Sequence, residues 1–541
     1  MSTISSTTGT SGMTTGTTAG AGTLVRFMLR RERRGLPWWL LGVVFLVYYQ
    51  AVGSQSIYDT PEKLARLRET MGANAAIVAM SGPKELLATI GGEVVFEIFS
   101  FAAIVVALMS MFLIGRHTRS DEEAGRTELI RSARVGRNAP LAAALVLAAI
   151  ANGAVALVAF AAAAAAGLPI VGSALLGAAL GGVGLVVAGL TAVAAQMFDH
   201  PRAVYGATGA LLGAAYVLRA AGDVGNGVLS WFSPIGWGQQ TLPYVADRWW
   251  PLLLPVAVTL VLIAVAVFLQ GRRDVGAGLL PSRPGPAHAP RALLSPLGLA
   301  WRLQRGSMIG WAIGLFMLGL AYGSFADSIE RFIAENPEVG AFFPGGSTAI
   351  VNAYLAVTMM FSALVTAAYG VGSALRARGE ETSGRAEPIL ATPTSRPVWL
   401  ASHLTIALGG GAVVLAAAGF GHGLAYGLTI SDPGQIPRLI GVSLVYLPAV
   451  WAVVAITALG FGWVPRAAPA VAWAAVGFCA FVAIFADLVD LPPWLLNVSP
   501  FAHTPQSPLE SPAVMPLVTL TALAAAITAT GVVGFRRRDV G

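Results

Sequence analysis

The chain has 541 residues, of which 56% are hydrophobic and 11% are charged, and its mean hydropathy is +0.71. A chain of this composition has more apolar surface than a soluble domain can bury, and its apolar runs reach membrane-spanning length, which excludes a soluble enzyme. The net charge of +7 comes largely from arginines in short loops between the apolar segments, so no basic face is available to a nucleic acid. The sequence therefore predicts an all-α polytopic membrane protein.

The first half of the chain begins with a Ser/Thr/Gly tract, residues 1–22, which is too polar to pack and is predicted to be a disordered tail. The next segment places Leu24, Phe27 and Met28 on one helical face surrounded by arginines, a pattern typical of a helix lying on anionic lipid at the membrane interface. Residues 55–92 are predicted to form a polar outside loop with a short helix. Six spans are predicted in this half, residues 23–276, near 36–52, 93–115, 139–166, 170–198, 203–221 and 251–270.

The second half, residues 297–541, follows a linker at 277–296 that is rich in Pro, Gly and Ala. This half repeats the first, because Ser499-Pro500 stands where Ser233-Pro234 does and the sequence RRDVG at 272–276 returns at 537–541. Its six predicted spans lie near 307–325, 348–375, 398–430, 439–463, 468–488 and 514–535. Since each half has an even number of spans, the halves are predicted to be parallel repeats that together hold about twelve transmembrane helices.

A hairpin dense in charge follows the second span of each half, at residues 116–137 and 375–396. The two hairpins align without a gap. Their candidate functional residues are Glu122, Glu123, Gly125, Arg126, Glu128 and Arg131 in the first and Glu380, Glu381, Gly384, Arg385 and Glu387 in the second. Two interpretations stay open from the residues alone: the hairpins are solvated loops that hold membrane topology, or they are docking elements for two copies of one soluble partner.

Arginines concentrate in the loops on one side of the predicted membrane, and most acidic residues outside the hairpins fall on the other side. Because loops that remain in the cytoplasm carry the excess of Arg and Lys, both termini and both hairpins are predicted to be cytoplasmic. The hairpins would then be accessible to a cytosolic partner.

Charged residues inside the spans are rare and mark a pathway or a partner. Glu93 and Glu97 lie one helical turn apart near the outer end of the second span, and Arg219 lies at a similar depth in the fifth. An ion pair between Glu97 and Arg219 is one of two interpretations that this placement permits. The alternative is that each of these side chains extends to the outer interface.

No nucleotide-binding or catalytic motif occurs in the chain. A phosphate-binding loop needs Gly-Lys followed by Ser or Thr, whereas the two lysines, Lys63 and Lys84, follow Glu and Pro. The histidines lack metal-ligand spacing, and Cys479 is the only cysteine. We therefore expect no cofactor and no metal in this chain, and no hydrolysis of ATP by it.

The leading interfacial helix, the hairpin sequence EEAGRTEL after the second span, the Ser-Pro segment between the fifth and sixth spans, and the duplication of all three together resemble the ABC-2 type exporter permeases. The similarity is to the actinobacterial twelve-span group of polyketide antibiotic and tetronasin-like multidrug exporters, and it covers nearly the whole chain after the tail. It implies that the hairpins are coupling helices seated in a cytosolic ATP-binding subunit, which binds ATP and Mg²⁺. It also implies that the segments at Ser233-Pro234 and Ser499-Pro500 are partly re-entrant near the outer gate.

The function that this resemblance implies is ATP-driven export. Two copies of the ATP-binding subunit would close on ATP, push the hairpins together and rock one half against the other, moving a drug, polyketide antibiotic or lipid out across the bacterial cytoplasmic membrane. Pro388, which stands where the first hairpin has Leu129, is expected to shorten or kink the second coupling helix. The alternatives are a proton-coupled twelve-span antiporter, for which only Glu97 comes close to a mid-depth carboxylate, and a membrane-embedded transferase, for which no acidic or metal cluster is evident.

Overall fold

The computed structural model describes residues 17–539 except positions 59, 134, 275, 281–287, 336–345 and 490. Within these residues the secondary structure is helical and contains no strand. The chain divides into two compact units, Met1–Gly285 and Pro286–Gly541.

The first unit is built from long apolar helices joined by short helices and turns. Its helices are α1 (Ala21–Glu32), α2 (Leu36–Ile57), α3 (Pro61–Met71), α4 (Ala75–Ser81), α5 (Ile90–Gly115), α6 (Arg126–Arg131), α7 (Ala139–Ala165), α8 (Ile170–Met197), α9 (Pro201–Val224), α10 (Pro234–Gln239) and α11 (Leu253–Arg272). Between α5 and α6 the chain continues as the helical turns Arg116–Ser120 and Asp121–Glu123.

The second unit has a similar order of helices. They are α12 (Pro296–Glu335), α13 (Gly346–Ala374), α14 (Arg376–Thr382), α15 (Glu387–Leu390), α16 (Arg396–Thr429), α17 (Gln435–Val445), α18 (Leu447–Trp463), α19 (Ala468–Val489) and α20 (Val514–Arg537). Two short helical elements, Pro493–Leu496 and Pro500–His503, lie between α19 and α20.

Eleven helices in the described part of the chain are long and apolar enough to cross a membrane, six in the first unit and five in the second. The remaining predicted span is present as helix α19, whose described apolar stretch, Ala468–Ala483, is shorter. The fold class predicted from composition is thus confirmed. Close approach of the helices uses small residues: a side chain on Gly177 of α8 would meet the carbonyl oxygen of Ala156 on α7 at 2.2 Å.

Three features of the helices differ from the predictions. Residues 17–22 of the predicted tail form a turn and the start of α1. The carbonyl of Thr17 accepts a backbone hydrogen bond from Asn138, and that of Ala19 accepts one from Gly136. The rest of the predicted tail lies outside the described residues. The span predicted near 439–463 corresponds to the candidate span Gln435–Trp463, which is interrupted at the single residue Tyr446 because Pro448 has no N–H to donate to α17. The leading helix and first span of the second unit form one helix, α12, of 40 residues.

Candidate functional site

The first hairpin is held by α1 through two buried acids. The carboxylate of Asp121 accepts hydrogen bonds from Arg31 of α1 at 2.8 and 2.9 Å and from Arg126 at 2.9 Å. Glu32, at the end of α1, accepts hydrogen bonds from Arg116 at 2.9 and 3.0 Å and lies 2.9 Å from Nε2 of His117. The predicted interfacial helix is therefore fixed to the hairpin by ion pairs, and it buries Leu24 and Met28 while Phe27 of the predicted face is exposed.

The electrostatics of this contact favour a charged Glu32. The hydrogen bond with His117 holds the pKa of Glu32 below its usual value against the opposing effect of burial, and the charge of Arg116 acts in the same direction. His117 itself is fully buried and lies between Glu32 and Asp121. An ionised Glu32 thus compensates the cationic groups at the base of the hairpin.

Glu122 connects the same hairpin to the end of the last helix in its unit. Its carboxylate accepts hydrogen bonds from Arg119 at 2.9 Å and from Arg273, which follows α11, at 3.0 Å. Arg119 also donates to the carbonyls of Ala195 and Ala277. The side chains of Arg119 and Arg273 are only 1% and 6% exposed, so this cluster is desolvated and its geometry is rigid.

The second hairpin has ion pairs at the corresponding positions. Glu380 is buried and accepts a hydrogen bond from Arg385 at 3.0 Å. Glu381 accepts one at 2.7 Å from Arg538, which follows α20. Arg396 donates to the carbonyl of Arg538 at 2.7 Å.

These contacts repeat residue by residue between the two units. The repeated pairs are Asp121–Arg126 with Glu380–Arg385, and Glu122–Arg273 with Glu381–Arg538. Arg137, the counterpart of Arg396, likewise donates to carbonyls at the end of α11. Sequence reasoning found the repeated hairpins and the repeated RRDVG separately and missed that they contact each other; their joint duplication was the available signal.

Each hairpin turns at a glycine with a left-handed backbone. Gly125 has φ +70° and Gly384 has φ +71°. In both turns the glycine N–H donates to the carbonyl three residues earlier, Glu122 or Glu381, at 3.0 Å. This conformation favours glycine because it has no Cβ, which accounts for the glycine at this position of both hairpins.

The tips of the two hairpins present matched exposed surfaces. The exposed residues are Glu123, Ala124, Gly125, Arg126, Glu128 and Leu129 in the first hairpin and, at the aligned positions, Thr382, Ser383, Gly384, Arg385, Glu387 and Pro388 in the second. Arg131 ends α6, and its side chain lies outside the described residues. The effect expected of Pro388 is confirmed as a shortening, since α15 has 4 residues where α6 has 6.

Glu97 and Arg219 do not form the ion pair that their placement in the sequence permits. Arg219 is fully buried, lies 3.3 Å from Asp223 one turn later on α9, and donates to the carbonyl of Met80 at 3.0 Å. Asp223 in turn accepts a hydrogen bond from Ser230 at 2.6 Å. Asp223 is nearer because it follows Arg219 on the same helix face, whereas Glu97 is engaged by Gln50 of α2.

Each Ser-Pro segment begins a short helical element, and the serine that precedes each element is buried. The side chain of Ser233 accepts a hydrogen bond from the N–H of Gly236 and caps α10. Ser499 precedes Pro500 at the start of a helical turn and is 1% exposed. Pro234 and Pro500 both occupy the first turn, where the missing N–H costs nothing.

The side chains of these clusters interact through ion pairs and hydrogen bonds. No group of three or more His, Cys, Asp or Glu side chains that could hold a metal occurs among the described residues. The charged hairpins combine internal ion pairs, which fix their position, with solvent-exposed tips.

The helices and the paired hairpins define a multi-pass helical membrane protein built from two related halves. A family model described as "Multidrug efflux system permease Rv1217c, C-terminal domain" matches residues 22–269 and 293–536. The multidrug efflux system permease protein Rv1217c of Mycobacterium tuberculosis is 41% identical over 525 residues, which cover 96% of this chain and 94% of that protein. The chain belongs to this family of multidrug efflux permeases.

Proposed function

We propose that this chain is the membrane-spanning subunit of an ATP-driven ABC-2 type exporter that moves hydrophobic or amphipathic compounds out of the cell. Two copies of a separate cytosolic subunit would bind ATP and Mg²⁺, and one copy would dock on each hairpin tip. The chain would lie in the cytoplasmic membrane with both termini in the cytoplasm. The observation that carries the proposal is the matched pair of exposed tips, each mounted on the same glycine turn and the same two ion pairs.

The mounting of the tips supports a role in transmitting force. A loop that only held topology would need arginines but no defined contacts with the last helix of its own half. Here Glu122 and Glu381 bind the arginines that follow α11 and α20, and α1 is bound through Asp121. A force applied to either tip would therefore be transmitted directly to membrane-spanning helices.

The similarity to Rv1217c also supports the proposal. Rv1217c is a multidrug efflux permease, and similarity along nearly the full length of both chains supports export of drug-like compounds by this chain. The cycle would alternate access to a substrate path as the ATP-binding subunits close and separate, with substrate taken from the cytoplasm or inner leaflet.

The test uses two exposed glutamates at aligned positions, Glu128 and Glu387. Arg126 and Arg385 are poorer probes, because each neutralises a buried acid within its own hairpin. Charge reversal with Glu128→Arg and Glu387→Arg should leave membrane insertion intact. A mismatched charge in a protein groove costs roughly 2 to 5 kcal/mol, so the double variant should lose the ATP-binding subunit on co-purification and lose substrate-stimulated ATP hydrolysis.

The control is Arg202→Glu, a charge reversal at an exposed arginine in the first turn of α9, which is not part of either tip. The purified chain alone should hydrolyse no ATP and should gain hydrolysis with the second subunit. Normal assembly and stimulation in the double variant would overturn docking at the tips, and export without any ATP-binding subunit would overturn the ATP-driven mechanism.

A further inference from the structure

A pair of acids in α5 faces α2 at the end of the helix away from the hairpin. Glu93 is 0% exposed, and neither oxygen of its carboxylate makes a hydrogen bond of good geometry. Glu97, one turn later, accepts a hydrogen bond from the amide of Gln50. The same amide donates to Ser54 at 3.1 Å, and Ser54 faces Glu93.

No cationic side chain faces this pair in the described part of the first unit. The groups around the two carboxylates are Gln50, Ser54 and the hydroxyl of Tyr58, whose pKa is raised to about 12 by burial and by the nearby Glu97 and Glu93. Arg219, a buried cation in the same unit, is engaged by Asp223. The acids therefore lack the partner that buried charges normally have.

Two like charges one turn apart in a desolvated site disfavour each other, so a pair without a cation retains at most one negative charge. The first turn of α5 stabilises such a charge, because the free N–H groups at the start of a helix carry partial positive charge. When one of the two carboxylates is ionised, the pair gains stability from binding one positive charge. Glu97 is partly exposed whereas Glu93 is fully buried, which makes Glu97 the accessible member.

We propose that Glu97, supported by Glu93, binds the positive charge of lipophilic cations, so that substrates carrying a protonated amine or another organic cation are recognised here. This inference rests on the export function proposed above and names a substrate class for it. Gln50 orients the Glu97 carboxylate, and Glu93 keeps the site negative when one proton is shared. In the second half, Asn352 and Ala356 occupy the positions that correspond to Glu93 and Glu97. The sequence therefore has this acid pair in its first half alone.

The experiment measures equilibrium binding of tetraphenylphosphonium to the purified chain in detergent, with neutral triphenylphosphine oxide as the second probe. Glu97→Gln should weaken binding of the cation about 10-fold or more and leave the neutral probe unchanged. Glu97→Asp keeps the charge and should retain most of the binding. Glu85→Gln, an exposed acid near the start of α5, is the matched control and should have no effect.

Acidification should weaken cation binding by the unmodified chain, because protons compete for the pair, and should have little effect on Glu97→Gln. The inference is overturned if the unmodified chain does not bind tetraphenylphosphonium, if Glu97→Gln binds it normally, or if Glu85→Gln weakens it equally. Binding needs no ATP-binding subunit. Glu97-dependent binding without ATP-driven export in proteoliposomes would therefore refute the exporter and retain the cation site.

Discussion

The two halves of the chain agree at the hairpins and differ in the helices that precede them. Both halves have the glycine turn, a buried acid paired with the arginine of the tip, and a second acid paired with the arginine after the last helix. Only the first half separates its leading helix from its first span and fixes that helix with Glu32. The second half uses the uninterrupted helix α12, in which Leu303 stands at the position of Glu32.

This difference indicates which contacts both hairpins need and which belong to one half. Duplicated halves can diverge wherever each packs against its own surroundings, whereas the proposed docking of one partner on both tips would require the tips to retain the same shape and support. The acid–arginine pairs behind the tips are retained, although Asp121 is replaced by Glu380. The acid pair Glu93 and Glu97 and the fixation of α1 occur in one half only.

The largest expected effect comes from removing the acid that binds the arginine at the end of each half. Glu122→Gln removes the carboxylate that accepts hydrogen bonds from the buried Arg119 and Arg273, and it should reduce the free energy of unfolding by about 3–5 kcal/mol. Glu381→Gln leaves only Arg538, which is 19% exposed, and should cost about 1–2 kcal/mol. Thermal unfolding of the purified chain measures both, with the exposed Glu123→Gln as control. Equal losses would show that the two supports are energetically equivalent despite the extra arginine in the first.

A smaller effect, which depends on pH, is expected from removing the charge of Glu32, which binds α1 to the first hairpin. The pKa of Glu32 in the folded chain is below its usual value of 4.5, so its ionised form stabilises the fold above that pH, and the stabilisation is lost as pH falls through the lowered value. At neutral pH Glu32→Gln should lower the unfolding temperature. The difference in unfolding temperature between Glu32→Gln and the unmodified chain should then decrease as the pH falls below about 4.5.

The control for this pH dependence is again Glu123→Gln, an exposed acid on the same hairpin, which should show no such difference. A gap between Glu32→Gln and the unmodified chain that stays constant down to strongly acidic pH would contradict an electrostatic role for Glu32. The side chain would then stabilise α1 by packing alone.

Sequence patterns predicted the helices well because apolar runs of spanning length have few alternative folds. The predicted second span, 93–115, differs from α5 by three residues at one end, where Thr89 caps the helix by accepting a hydrogen bond from Gly92. The pairing of charged residues was harder to predict from the sequence. Arg219 pairs instead with Asp223, four residues later on α9, a spacing that the sequence contains and that the comparison with Glu97 overlooked. The contact of Glu122 with Arg273 spans 151 residues and follows from the way the last helix returns to the hairpin.

The smallest expected effect tests whether the two turns are equivalent. Gly125→Ala and Gly384→Ala each place a Cβ on a left-handed residue, and no atom lies within 4 Å of that position in either turn. Backbone strain alone should therefore lower the free energy of unfolding by about 1–2 kcal/mol, and by the same amount in both. Gly379→Ala, within helix α14 and also without close neighbours, should instead be neutral or stabilising, because alanine favours helix. Thermal unfolding of the three variants makes the comparison, and a loss at one turn without a loss at the other would mean that the hairpins differ in rigidity at the tip itself.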